Sequence, residues 1–217
     1  MDNSINNYWE IRLKDLKESL NKNNFDAWIA ENKAEASRMV FNEVLASLPI
    51  QTISWGGSMT FKSSGLYDAL IHQNKYVVLD TFEKGIAKDD MLERRRNALL
   101  VDLFITGCNA ITESGQLVNL DMIGNRTAAI NFGPKYVLLL VGRNKIVSDI
   151  HDAMIRIKDY AAPTNAMRLD KKSPCTTTSY CQECQSPDRI CNVWSITEKS
   201  FPKRRIKIIL INEDLGL

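Results

Sequence analysis

Four cysteines crowd one polar run, SPCTTTSYCQECQSPDRIC, from Ser173 to Cys191. Cys175, Cys181, Cys184 and Cys191 follow the pattern Cys-x5-Cys-x2-Cys-x6-Cys. Thiolates are soft ligands, and four on one loop suit zinc or an iron–sulfur cluster. The central Cys-x2-Cys is the common bite for either. The full spacing matches neither a zinc ribbon nor a ferredoxin run, so it names no metal. Packing four thiols away as small hydrophobes needs apolar neighbours, and the segment offers few beyond Tyr180 and Ile190. A disulfide pair or a redox couple is the rival chemistry. The fifth cysteine, Cys108, stands apart at the end of an apolar run and is expected to be packed.

Three other stretches could hold a ligand. In SWGGSMTF, Gly56 and Gly57 end an apolar run, and Ser58 and Thr60 open a helical one. Such a turn points backbone N–H groups at a phosphate or carboxylate. It is equally the form of a tight strand-to-helix turn with Ser58 as N-cap. In FITGCNAITESGQLVNLDMIGNR, polar residues gather between two apolar runs: Asn109, Glu113, Asn119, Asp121, Asn125 and Arg126. Glu113, beside Ser114 and Gly115, is the carboxylate expected to act as nucleophile or general base. Asx turns are the structural alternative for the rest. In GRNKIV, Arg143 and Lys145 follow an apolar run and could hold an anion near Gly57, or be solvated loop charges. Arg94, Arg95 and Arg96 read as the wet face of a helix, and neither His72 nor His151 is given a catalytic role.

The elements that must position these residues are legible in the hydrophobic pattern. Trp9, Leu13, Leu16 and Leu20 recur with helical spacing, and Val40, Phe41, Val44, Leu45 and Leu48 mark a second helix before Pro49. QTISWGG, KYVVLD, LVDLFITG, GQLVNLD, KYVLLLVG and RIKIILIN are short apolar or β-branched runs bounded by turn residues. Helical candidates lie between them at 59–73, 87–99, 125–132 and 149–162. Strands that are continuous apolar runs, alternating with helices, predict a mostly parallel sheet covered on both faces. The expected fold class is α/β, a Rossmann-like three-layer sandwich. Residues 1–50 are expected to form an N-terminal helical cap on an α/β domain spanning 51–217. The cysteine segment 173–192 is then an insertion before the last strand. Ile53, Val77, Leu103 and Leu138 are expected to be buried, and Gly57, Ser58, Glu113, Asn119, Asp121 and Asn125 to share one crevice at the strand ends.

Composition narrows the function classes. The chain has 217 residues, is 44% hydrophobic and carries a formal net charge of +2. That small charge, with no cluster of basic and aromatic residues, gives no case for nucleic acid. No apolar run approaches the roughly 20 residues that span a bilayer. MDNSINNYWE lacks the apolar core of a signal peptide, so a cytoplasmic location is expected. Thiols there stay reduced, which favours metal or redox work over structural disulfides.

TGCNAITESGQLVNLDMIGNR, followed by GPKYVLLLVGRNKIV and preceded by GGSMT, resembles the lactate-utilisation (LUD) domain family, which includes the LutB- and LutC-like proteins of bacterial lactate oxidation. The resemblance runs from about Trp55 onward. It implies a fold like that of ribose-5-phosphate isomerase, glucosamine-phosphate deaminase and the CoA transferases, and a role in lactate or related organic-acid metabolism. Glu113-Ser114-Gly115 is similar to the catalytic Glu-x-Gly of CoA transferases, which makes a free-standing CoA-transferase-like or sugar-phosphate isomerase-like enzyme the alternative. A binding or regulatory module with structural zinc is a further one. The lactate-oxidation setting favours an iron–sulfur cluster, of the 4Fe–4S kind, over zinc at the four cysteines. The implied partners are a small anionic ligand and proteins of a lactate-oxidation system; a homodimer is compatible with the sequence, and neither nucleic acid nor membrane is expected.

Overall fold

The structure, a computed structural model, describes residues 3–217. Its centre is a six-stranded sheet in the order β1-β10-β7-β4-β2-β3, with every neighbouring pair parallel. The strands are β1 (Asp26–Ala30), β2 (Thr52–Trp55), β3 (Val77–Leu79), β4 (Leu103–Thr106), β7 (Tyr136–Gly142) and β10 (Ile206–Ile211). β5 (Ala110–Thr112), β6 (Leu117–Asp121), β8 (Ile146–Val147) and β9 (Val193–Thr197) form a smaller sheet in the order β8-β5-β6-β9.

The two central strands show why both faces must be covered. Successive side chains of a strand point to opposite faces. On β7, Leu138 and Leu140 join Ile53, Trp55, Phe61 and Ile209 in one core, while Val137, Leu139 and Val141 join Leu13, Leu16, Leu20 and Ile208 in another. Helix α1 (Asn3–Lys22) closes the second face. Helices α2 (Lys33–Met39), α3 (Met59–Ser63) and α4 (Leu66–Ile71) lie on the first. α5 (Lys88–Asn97), α6 (Asn125–Asn131), α7 (Ile150–Arg156), α8 (Ala162–Arg168) and the single turn α9 (Cys175–Thr178) complete the chain. The three-layer α/β reading is correct.

Several local expectations are corrected. Residues 1–50 do supply helices, but not a cap apart from the sheet: Asp26–Ala30 is an edge strand in register with Lys207–Ile211 of β10. Its sequence, DAWIA, is too short and mixed to announce a strand; pairing with the apolar β10 decides it. Val77 is 70% exposed rather than buried, because β3 is the other edge of the sheet. The run 117–121 leaves the parallel sheet altogether and pairs antiparallel with β5 and β9. The helix expected over 59–73 breaks at Gly65, whose φ of 76° is left-handed. The helix expected to end near Pro163 continues to Arg168. A π-helical stretch, Ile157–Ala161, places Pro163 in the first turn of α8, where no intrahelical N–H is needed.

Candidate functional site

Three neighbouring strands, β2, β4 and β7, deliver their carboxyl ends to one place. The turns that follow them are Gly56–Ser58, Gly107–Asn109 and Arg143–Lys145. A cavity of about 290 Å³ opens there, lined by Gly56, Gly57, Ser58, Asn109, Asp121, Asn125, Arg126 and Lys145. Crevices beyond the carboxyl ends of parallel strands are where open α/β folds take ligands. Arg95, Arg168, Cys108, Ile190 and Leu217 line the same space.

The glycines let the turns approach one another. A Cβ on Gly107 would stand 2.7 Å from Ser58 Oγ and 3.1 Å from the Leu140 carbonyl oxygen, whereas nothing lies within 4 Å of one on Gly57. Ser58 is the N-cap of α3 and accepts from Phe61 N at 3.1 Å. Thr106, at the end of β4, has a buried hydroxyl with no partner among the described residues, 3.3 Å from where a Cβ on Gly56 would stand.

One wall is a dense polar network around Arg126, only 7% exposed, in which the buried Asn119 Nδ2 has no hydrogen-bond partner among the described residues. Its Nε donates to Asp121 Oδ1 at 2.9 Å, and one terminal nitrogen donates to the Gly107 carbonyl at 2.9 Å and to Asn119 Oδ1 at 2.7 Å. The other donates to Asn109 Oδ1. Asp121 also accepts from Thr127 N at 2.9 Å. The carboxylate of Asp121 is therefore committed to its guanidinium and a helix amide, not free as a base. Asn119 lies wholly buried and holds Arg126 in place.

Lys145 is the opposite case. Its side chain is buried (4% exposed), and Nζ donates to Thr60 Oγ1 at 2.9 Å and to the Cys108 carbonyl at 3.2 Å. Both partners are uncharged. Thr60, buried beneath the cavity, passes its own hydrogen to the Leu215 carbonyl at 3.0 Å. Burial, with Arg156 and Arg126 nearby, lowers the Lys145 pKa to about 8. Burial likewise pushes the Cys108 thiol up, so it sits in the wall as a neutral group, packed as expected. Arg95, half-buried on the cavity wall, has no hydrogen-bond or ion-pair partner among the described residues.

Two residues expected at this site stand elsewhere. Glu113 is half exposed and ion-paired with Arg12 of α1, outside the cavity lining. The hairpin from β5 to β6 carries it toward α1: Asn23 Nδ2 donates to the Ser114 carbonyl at 2.8 Å. Glu113 is thus part of the seam between α1 and the small sheet. Arg143 turns outward, bonded to Asp214 at 2.9 Å and Asn212 at 3.2 Å and stacked over Trp9. Sequence reasoning in turn missed Arg95 and Arg168. In the sequence Arg95 reads as part of a helix's wet face, and Arg168 lies beyond the helix expected over 149–162.

The cysteine segment forms part of the rim. Ile190 lines the cavity, and Asn192 N donates to the Asp121 carbonyl at 2.9 Å. All four thiols are free and partly buried. Arg189 donates to the Cys191 carbonyl at 3.0 Å and the Cys184 carbonyl at 2.8 Å, bracing the loop through its backbone. Lys158 pairs with Glu183 at 2.7 Å. In kind the donors fit a thiolate centre; in arrangement they do not. Among the described residues, no three His, Cys, Asp or Glu side chains are grouped to hold a metal ion.

The LUD domain family model matches residues 13–211. The chain belongs to the LUD domain family. The match begins well before Trp55, where the resemblance in sequence set in, because the family unit includes α1 and β1. A solved structure, a DUF162 family protein from Deinococcus radiodurans, is similar in fold with a TM-score of 0.54, covering 94% of this chain and 98% of its own. At 12% identity, that likeness speaks for the fold alone. No curated protein matches the chain. Family membership supports a role related to lactate utilisation. Among the described residues no helix is long and apolar enough to cross a membrane.

Proposed function

We propose that this LUD-domain protein binds a small organic anion in the cleft, a short carboxylate of lactate or related organic-acid metabolism, as a cytoplasmic component working with partner proteins of that metabolism. One observation carries the reading: the cleft holds a buried lysine, Lys145, whose hydrogen-bond partners are both neutral. A buried cation without a counter-charge is costly, and an anionic ligand offsets that cost. Arg95 on the same wall adds a second cation without a partner among the described residues, while the one lining carboxylate side chain, Asp121, is neutralised by Arg126. Calorimetric titration with lactate, pyruvate and inorganic phosphate tests the reading. The expected result is saturable binding of a carboxylate that Arg95→Gln weakens and Lys145→Met removes in a protein that still melts cooperatively. Binding by none of the three would reject it. Catalysis through Glu113, as a CoA transferase or isomerase would need, finds no support in a carboxylate paired with Arg12 outside the cleft.

The cysteines support a second, separate proposal: a metal centre, an iron–sulfur cluster or zinc, formed when the loop closes. Four free thiols on one mostly polar loop are the observation in its favour. Closure would have to bring together sulfurs on a loop that Arg189 now braces through the carbonyls of Cys184 and Cys191. Metal and sulfide analysis of anaerobically purified protein, with its absorption spectrum, tests this. One centre per chain is expected; substoichiometric metal under anaerobic conditions rejects it.

A further inference from the structure

Lys145 offers more than a charge. A neutral lysine amine has two N–H bonds and one lone pair, and an ammonium has three N–H bonds and none. Nζ here meets two acceptors, Thr60 Oγ1 at 2.9 Å and the Cys108 carbonyl at 3.2 Å, on a residue that lines the cavity. Those two acceptors match the two donors of the neutral amine and leave its lone pair uncommitted. We infer that Lys145 is a nucleophilic lysine that condenses with the carbonyl group of a 2-oxo acid held in the cleft. The inference rests on the anion-binding reading above and assigns chemistry to it.

The surroundings favour the neutral amine. Arg126 on α6 and Arg156 on α7 oppose a further positive charge, and Cys108 beside them is held as a neutral thiol. Among the described residues, no carboxylate side chain is ion-paired with Lys145. Asp121 is taken by Arg126, Glu213 accepts from Lys33 N and Asp214 from Arg143. Lys62, on the same helix as Thr60, reaches over the Phe82 ring instead. The resulting pKa of about 8 leaves a working fraction of free amine near neutrality. Arg95, unpartnered on the cavity wall, suits the carboxylate of the same ligand, since a guanidinium matches a carboxylate with two parallel hydrogen bonds.

The step balances without an oxidant or a second substrate. The Nζ lone pair forms a C–N bond to the carbonyl carbon while the C=O π pair moves to oxygen, which takes a proton as Nζ loses one. The carbinolamine then releases its hydroxyl, with a proton from solvent, as water. Loss of the remaining N–H proton leaves the imine. Amine plus ketone gives imine plus water.

The test uses the full chain, pyruvate as probe and cyanoborohydride to reduce any imine to a stable secondary amine, read by peptide mapping. Lactate, which has the carboxylate but no carbonyl, is the companion ligand. The expected result is a reduced pyruvyl adduct on Lys145 ahead of the exposed lysines, formed faster as pH rises toward about 8, where half of the amine is neutral. Lactate should slow the labelling by competition. Lys145→Arg, checked for a native melt, should lose the adduct while the slow labelling of exposed lysines continues. Calorimetric binding of pyruvate or lactate without an adduct at Lys145 would overturn the inference and leave the anion cleft standing. Labelling spread evenly over surface lysines would overturn it equally. Failure of both ligands to bind and of the adduct to form would remove both readings together.

Discussion

Around Arg126 the charge is paired and the guanidinium fully engaged: it serves Asp121, Asn119, Asn109 and the Gly107 carbonyl, and all of it is buried or nearly so. A few residues away on the same rim, Ser173–Cys191 runs partly exposed. Its hydrogen bonds are mostly local, such as Ser186 Oγ to the Lys172 carbonyl and Lys172 N to Asp188, and of its four thiols Cys191 alone packs against a buried cluster, that of Ala110, Val118 and Ile157. Both stretches are polar and dense in potential ligands, and sequence alone treats them alike. The difference is what orders them. The first is held by burial and the hydrogen bonds of one guanidinium, and is a fixed surface against which a ligand can be positioned. The second has few buried contacts and opens at low cost, as loops with solvent-exposed bonds do, which leaves it free to rearrange around something else.

The contrast breaks most visibly at Arg126. Arg126→Met leaves Asp121 buried without its partner, and removing one member of a buried pair costs about 3–5 kcal/mol. Urea unfolding should show that loss; a change under 1 kcal/mol would mean that the network is not what holds the wall. Next in size is Gly107→Ala, whose added methyl meets Ser58 Oγ and the Leu140 carbonyl. Overpacking of this kind costs about 1–3 kcal/mol. It should also weaken ligand binding, because Ser58 must shift.

Lys145 sharpens the comparison through pH. Its pKa is lowered from 10.5 to about 8 by burial, so between those values the unfolded chain binds the proton that the folded one has lost. Stability contributed by this group therefore rises with pH from about 8 to 10.5 and is flat below, where both states are protonated. Denaturation midpoints across that window should rise in the native protein more steeply than in Lys145→Met.

Cys184→Ser belongs to the other region and should leave the unfolding of the sheet within about 0.5 kcal/mol of native. Its effect should appear instead in limited proteolysis of anaerobic protein, where the segment 174–192 loses protection if a metal orders it. Protection retained in that variant argues that the local hydrogen bonds suffice. The smallest effect is expected at Glu113→Gln. An ion pair as exposed as that with Arg12 contributes about 0–1 kcal/mol, and binding in the cleft should not change. A large loss of binding would return Glu113 to the site.

The buried strands were readable because their apolar runs carry the information locally. KYVLLLVG and RIKIILIN can satisfy their side chains only with cover on both faces, and each becomes a central strand. DAWIA could not be read that way, since an edge strand is defined by its partner. Among candidate site residues, Gly57, Ser58, Asn109, Asp121, Asn125, Arg126 and Lys145 were legible because loops at one edge of a parallel sheet share a crevice. Glu113 and Arg143 occupy loops of the same kind and face away, and no local pattern distinguishes them.

By itself, then, the sequence determined the layers and the edge at which chemistry could gather, because hydrophobic period and turn residues act over a few positions. It determined that four thiols share a loop, but not that they meet. Which cations remain without a counter-charge was decided by tertiary structure alone. Thr60 and Lys145 are 85 residues apart, and Asn23 and Ser114 are 91. Charges lose or gain their partners through neighbours that only the folded topology brings together, and burial sets how much each pairing weighs.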